Sequence, residues 1–316
     1  MPQLCKKRTT QFRIYACFIS LMWYYLSTIN RNYILRSKEK RKMKNMKKIT
    51  ALVLALIMCL TLFAACGSSK DEGDKAYILD KEKMVIGYTV YEPMNYTDEN
   101  GNFTGFDTEL AKLVCEELGV EPEFVIINWD TKESELAGKS IDCIWNGMTL
   151  DAEREANMAC SIPYCKNAQV VVVKNDFAYT DTSSLIGKTV CAEIGSAGES
   201  QLKGSTDDEG NFTPPEANLG QAEYVGKSVQ TDCLLEVKAG TAQAAVLDMT
   251  LANSMIGEGT DYADLVIVDY LAEEDYGVAF RKGSDVRDEV NKIFDKLIKN
   301  GEMQKLADKY GLELAD

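Results

Sequence analysis

From Met84 onward the sequence alternates short, β-branched apolar runs with stretches of helical period, and that alternation predicts an α/β fold. Strands are expected over 84–88, 124–127, 141–145, 169–174, 189–194, 222–225, 244–248 and 277–281. Between them, Leu110, Ala111, Val114 and Leu118 repeat at helical spacing, with Asp107 placed to cap a helix over 108–118. Shorter helices are expected over 132–137 and 151–158, near Glu199, and over 231–239. A helix, an Asn300-Gly301 turn and a second helix close the chain. Asp98-Glu99-Asn100-Gly101 reads as a hairpin turn, because Asn-Gly accepts the positive φ such turns need; a calcium loop is the other reading of those acids. The two halves look like similar α/β units, with no sequence repeat between them.

The N-terminal region follows different rules. Residues 46–66 (MKKITALVLALIMCLTLFAAC) carry a Lys pair, an apolar run from Ile49 to about Leu62, and small residues before Cys66. That is the three-part logic of an export signal, and the run falls short of the roughly 20 residues needed to span a bilayer. Phe63-Ala64-Ala65-Cys66 resembles a bacterial lipobox, although Phe63 replaces the usual Leu-like residue. The resemblance implies a lipid-modified Cys66 that anchors the exported protein to the outer face of the cytoplasmic membrane. Residues 1–45 do not fit this scheme. Translation is expected to begin at Met43 or Met46, the alternative being a genuine membrane segment over 12–26. Residues 67–79, polar and Gly/Ser-containing at the start, are expected to form a flexible tether.

Charge and composition narrow the function. Thirteen of the 35 Lys and Arg but only one acid, Glu39, lie in residues 1–65, leaving 22 basic and 48 acidic residues after them. So acidic a body repels nucleic acid, whose binding depends on cationic contacts to phosphate. Histidine is absent, which excludes Ser-His-Asp and Cys-His catalysis, His-ligated zinc and His-based pH switching. Six cysteines lie in the body: Cys115, Cys143, Cys160, Cys165, Cys191 and Cys233. No CxxC occurs, which argues against a zinc knuckle or a thioredoxin-type site. An even count in an exported protein suggests disulfides. However, Cys143 and Cys191 sit in apolar strand-like runs, where a thiol behaves as a small hydrophobe, and mostly free thiols are expected. No metal or cofactor is called for.

Three stretches, in order and at matching spacing, resemble the bacterial extracellular solute-binding proteins, family 3, of amino-acid ABC importers. They are Gly105-Phe106-Asp107-Thr108-Glu109-Leu110-Ala111, then the run from Ile141 to Arg154 followed by Ser161-Ile162-Pro163-Tyr164, then Gly195-Ser196-Ala197-Gly198-Glu199-Ser200 leading to Ala245-Val246-Leu247-Asp248. The closing pattern Leu297–Tyr310 matches as well, so the resemblance covers roughly residues 80–314. It implies a type II periplasmic-binding-protein fold: two Rossmann-like lobes joined by two crossing strands, with the ligand in the cleft. Residues 80–170 and 274–316 would form the first lobe and 171–273 the second.

The site residues follow from the same match, and their chemistry suits a free amino acid. Arg154 offers a guanidinium that can hold a carboxylate through two parallel charge-assisted bonds, beside a helix start that also favours an anion. Thr149, Ser196 and Ala197 would add donors. Asp248 and the Gly147 carbonyl would accept the ammonium group. Tyr91 would cover the ligand, Trp129 and Trp145 would form walls, Asn146 would lie beside the clamp, and Tyr164 and residues 161–163 would buttress it. Each has a plainer reading: Arg154 as a solvated helical charge, Asp248 as a helix cap, the tryptophans as core. Lys132 and Glu133 hint at recognition of a polar side chain. No acid stands at Tyr88 or Thr89, where relatives that bind basic amino acids tend to carry one, so a neutral polar ligand is expected. The expected partners are that amino acid, the permease and ATPase subunits, and the membrane through the lipid anchor, with the protein itself a monomer. Two other classes compete: a prephenate- or arogenate-type dehydratase on the same fold, for which Lys132 and Glu133 are the acid–base candidates, and a sensor ectodomain.

Overall fold

The computed structural model describes residues 73–206 and 210–316. The export signal, the lipid-modified Cys66 and the translation start therefore lie outside the described residues. In chain order the first elements are α1 (Asp74–Asp80), β1 (Lys83–Tyr88), β2 (Tyr96–Thr97), β3 (Phe103–Thr104), α2 (Phe106–Leu118), β4 (Glu121–Ile126) and α3 (Lys132–Ala137). Next come β5 (Cys143–Thr149), α4 (Ala152–Asn157), β6 (Ala159–Cys160), β7 (Cys165–Lys174), β8 (Thr189–Glu193), α5 (Ala197–Lys203), β9 (Ser205–Thr206) and β10 (Phe212–Thr213). The chain ends with β11 (Glu223–Lys227), α6 (Gln230–Ala239), β12 (Ala244–Asp248), α7 (Met249–Met255), β13 (Leu265–Phe280), α8 (Val286–Lys299) and α9 (Glu302–Tyr310).

Two parallel sets of strands, β1 with β4 and β5, and β8 with β11 and β12, stand on either side of two long antiparallel strands, β7 and β13. The sheet order β11-β8-β12-β7-β13-β5-β1-β4 thus divides the fold into two lobes, the chain leaving the first through β7 and returning through β13. The apolar run in β7 has a direct cause. Val170 and Val172 pack into one core cluster while Val171 and Val173 pack into another, so both faces of the strand are buried and no alternation survives.

β13 extends over 16 residues, whereas the sequence pattern marked only 277–281. Its earlier part is half-exposed, and its register shifts between Ile267 and Asp269 and again between Tyr270 and Ala272. Each irregularity resets the two-residue period, so the acids at 269 and 273–275 disguise a strand. α2 also differs. It begins at Phe106 with Gly105 at the cap position, and Asp107 does not cap it; the Asp107 side chain turns inward to accept the Gly147 N–H. The Asn-Gly turn joins β2 to β3 as expected, with the Asp98 carboxylate accepting the N–H groups of Asn100 and Asn102. All six body cysteines are unpaired, and all but Cys160 are fully buried. Burial pushes the Cys115 and Cys160 thiols up to about 12, which leaves them poor nucleophiles.

The expected tether ends sooner than residue 79, because 74–80 form α1 and dock. Ile78 is buried, and Asp74 accepts from Arg281 Nε at 2.8 Å. Arg281 is held in turn by the Ile141 carbonyl at 2.7 Å and by Asp142. A largely enclosed charge-assisted bond of this kind contributes about 1–2 kcal/mol. Asp74→Ala should therefore lower unfolding stability by about that amount in urea titration. A change confined to a few tenths of a kcal/mol would mean that α1 rests on the surface without bracing the fold.

Candidate functional site

β5 ends in the seam between the lobes and supplies three wall residues of an enclosed cavity, Asn146, Gly147 and Thr149. Arg154, Tyr91, Thr89 and Trp129 complete the wall on the first lobe; Glu193, Ser196, Ala197, Gln230 and Asp248 form it on the second. All but Ala197 are buried, and together they line the seam from both sides.

Arg154 is placed by a cap. Asp151, just before α4, accepts the Arg154 N–H at 2.8 Å through one carboxylate oxygen and grips the guanidinium with the other. The Arg154 side chain is only 8 % exposed, so it is not a solvated helical charge. Its second terminal nitrogen donates across the seam to the Gly195 carbonyl at 3.2 Å, and its buried Nε has no partner. Lys132 reaches the same Gly195 carbonyl at 2.9 Å and also bonds the Trp129 carbonyl. Burial and the Arg154 charge push the Lys132 ammonium down to about 8. Two cations of the first lobe thus converge on one carbonyl of the second.

Asp248 closes β12 but does not cap α7 with its side chain; Asn167 takes that role by accepting the Thr250 N–H at 3.0 Å. The Asp248 carboxylate instead receives Asn167, Gln169 and Gln230. Behind it, Glu274 of β13 accepts from the Thr149 hydroxyl at 3.0 Å and from Gln169 at 2.9 Å. Burial raises the pKa of Asp248, and burial together with the Asp248 charge pushes Glu274 up to about 8.

Gly147 has φ +57°, and a Cβ there would stand 2.8 Å from the Tyr91 ring and 3.0 Å from the Tyr276 ring. Only glycine lets the backbone pass beneath the Tyr91–Tyr276 pair, whose hydroxyls meet at 2.5 Å. Below, Asp107 accepts the Gly147 N–H at 2.6 Å; desolvation pushes this carboxyl up to about 7 despite the nearby Tyr164 and Trp145.

Several expected roles need correction. Trp145 does not line the cavity: it points to the opposite face of β5 and packs edge-on against Phe294 of α8, 5.7 Å between ring centres. Successive strand residues face opposite ways, so Asn146 and Trp145 cannot both look into the cleft. Asn146 does line it, but its amide is occupied by Thr89 and Asn95, which ties β5 to the loop carrying Tyr91. The Ser196 hydroxyl caps α5 and donates to the Glu193 carbonyl at 2.7 Å, and the Thr149 hydroxyl proton goes to Glu274. Tyr164, expected only as a buttress, needs no such correction: it is buried against Phe106 and Phe294, off the cavity wall. Lys132 and Glu133 are not among its walls; both line an outer groove.

The sequence reading missed Thr89, Glu193, Gln230 and Glu274. For Glu193 a signal existed: a lone acid ending the apolar strand TVCAE is either paired or functional. Among the described residues, no cluster of acids and cysteines is arranged to hold a metal ion, and no helix is long and apolar enough to cross a membrane.

Residues 84–313 match the family model of bacterial extracellular solute-binding proteins, family 3. The arginine-binding extracellular protein ArtP of Bacillus subtilis (strain 168) is 30 % identical over 262 residues, covering 82 % of this chain and 96 % of that protein. A crystal structure of a mutant ArgBP from T. maritima shares 32 % identity at a TM-score of 0.66, covering 75 % of this chain and 98 % of that one. The ancestral amino acid-binding protein AncCDT-1, a precursor of cyclohexadienyl dehydratase, shares 28 % at a TM-score of 0.64, with 75 % and 99 % covered. With the two-lobed fold and the seam cavity, these matches place the chain in the bacterial extracellular solute-binding protein family 3.

Proposed function

We propose that this chain is the binding component of an amino-acid ABC importer, capturing a free α-amino acid between its lobes. One observation carries the reading: an enclosed cavity holds, from opposite lobes, a buried guanidinium with an unbonded Nε and a buried carboxylate. Those are the complements of an α-carboxylate and an α-ammonium group. Arg154 would take the carboxylate with the Ala197 N–H at the start of α5. Asp248 and the Gly147 carbonyl would take the ammonium, under Tyr91 and against Trp129. Because Arg154 and Asp248 belong to different lobes, such a ligand binds the closed arrangement better than the open one and so drives closure. The permease would read the closed form. Relatives named for arginine and for amino acids fit this reading.

The finer parts of the proposal are lobes of 80–170 with 274–316 and of 171–273, a monomer, and export with anchoring through Cys66. An enzyme reading is less favoured, since neither Lys132 nor Glu133 reaches the cavity. A thermal-shift screen of the common L-amino acids tests the proposal, because a ligand that binds only the native state raises its apparent stability. At least one should raise the melting temperature by several degrees, and its N-acetyl and amide derivatives should not. No response from any amino acid, an equal response to the blocked derivatives, or turnover of a prephenate-like acid would reject it.

A further inference from the structure

Two acids end adjacent parallel strands of the second lobe and enter the same cavity. β8 and β12 are parallel neighbours, paired at Ala244 with Val190 and at Ala245 with Cys191, and Glu193 and Asp248 end them at the carboxyl edge, where both line the cavity. Ligands of open α/β sheets sit at that edge. The charged side chains lining the cavity are Arg154, Asp248 and Glu193. An α-amino acid held as proposed above neutralises the first two and leaves Glu193. Its Oε1 is buried with no hydrogen-bond partner, and the residue is 3 % exposed. A carboxylate enclosed in this way is costly unless something pairs with it. Among the described residues, no Lys or Arg side chain is bonded to it. Lys132 is near enough to favour the ionised form, but its ammonium is held by the Gly195 and Trp129 carbonyls. Asp232 and Asp248 oppose ionisation, and Gln230 is the neutral neighbour.

We infer that Glu193 is the residue that selects the ligand's side chain, and that it selects a cationic one, a guanidinium or an ammonium group. This rests on the reading of Arg154 and Asp248 as the α-carboxylate and α-ammonium sites. The chemistry around it agrees: the aromatic side chains Trp129 and Tyr91 line the same cavity, and aromatic rings attract guanidinium and ammonium groups. Tyr88 and Thr89 carry no acid, which from sequence pointed to a neutral ligand; the structure supplies the acid from the opposite lobe. The rival is a protonated Glu193 that donates to a neutral amide, since burial and the Asp248 charge push its carboxyl up to about 8.

Calorimetric titration of the full mature chain with L-arginine, L-lysine, L-citrulline and L-glutamine separates these. Citrulline has nearly the shape of arginine without its charge. The wild type should bind arginine or lysine at least ~100-fold more tightly than citrulline and glutamine, as loss of one partner of an enclosed charge pair does. Glu193→Gln, which preserves shape, should collapse that ratio to within about threefold while leaving citrulline or glutamine affinity in place. A wild type that prefers citrulline or glutamine, or a ratio unchanged by the substitution, overturns the inference while amino-acid capture stands. Should none of the four bind, the screen of the remaining amino acids decides: a neutral ligand found there overturns only the role of Glu193, and no ligand at all overturns both.

Discussion

Arg154→Ala should reduce affinity for every amino acid by ~100-fold or more and barely move the melting temperature of the ligand-free protein. Truncating one member of an enclosed, hydrogen-bonded charge pair costs about 2–5 kcal/mol, which is roughly thirty-fold to several thousand-fold in affinity. The fold should tolerate the change for local reasons. The Arg154 N–H that Asp151 caps belongs to the backbone and survives substitution. The Asp151 side chain, already 35 % exposed, can turn to water once the guanidinium is gone. Across the seam the substitution removes one hydrogen bond, to the Gly195 carbonyl, and Lys132 still donates to that oxygen. Arg154→Lys keeps the charge without the planar fork and should recover only a small part of the affinity. Titration calorimetry beside thermal melts separates the outcomes. Unchanged affinity would remove Arg154 from the site, and a collapsed melt would make it a structural residue.

What the sequence disclosed follows from where each residue's information lies. The α/β alternation was legible because β1, β5, β7, β8 and β12 are buried strands whose apolar runs carry their own signal. Arg154, Thr149 and Asp248 could be placed because they stand in matched motifs, and the cavity brings all three together. The orientation of side chains on a single strand was not legible. Trp145 and Asn146 are neighbours in sequence, yet one joins the core and the other the seam. Glu274 escaped because β13 is half-exposed and twice out of register, so its acids read as loop. Asp107 looked like a helix cap by spacing alone. That it reaches a strand 40 residues away is a tertiary fact, set by the positive-φ turn at Gly105 and the buried path to Gly147.

Asp248→Asn should lose most amino-acid binding, yet gain on the wild type in ligand-free stability as pH rises from 5 to 8. The binding loss follows from removing the counter-charge of the ammonium group, again about 2–5 kcal/mol. The stability effect comes from the carboxylate pair. Asp248 and Glu274 are enclosed together, and burial raises both, Glu274 to about 8. With folded-state values above the unfolded ones, the folded protein holds more protons than the unfolded chain between about pH 4 and 8. Stability must then fall as pH rises through that window, the contribution being complete below pH 4 and gone above pH 8. Asparagine cannot ionise, so one of the two opposing charges never forms and the decline becomes shallower. Its amide nitrogen cannot accept a hydrogen bond as the second carboxylate oxygen does from Gln230 or Gln169, so at pH 5 the variant should be equal or slightly weaker. By pH 8 it should have gained about 1–2 kcal/mol on the wild type. Urea unfolding at both pH values, with calorimetry at pH 7.5, measures the two effects. Parallel pH dependences would mean that the pair is not electrostatically linked, and retained binding would release Asp248 from the ammonium site. A protein that grows relatively more stable as it loses its ligand would identify Asp248 as a charge kept in the core for binding, against the interest of the fold.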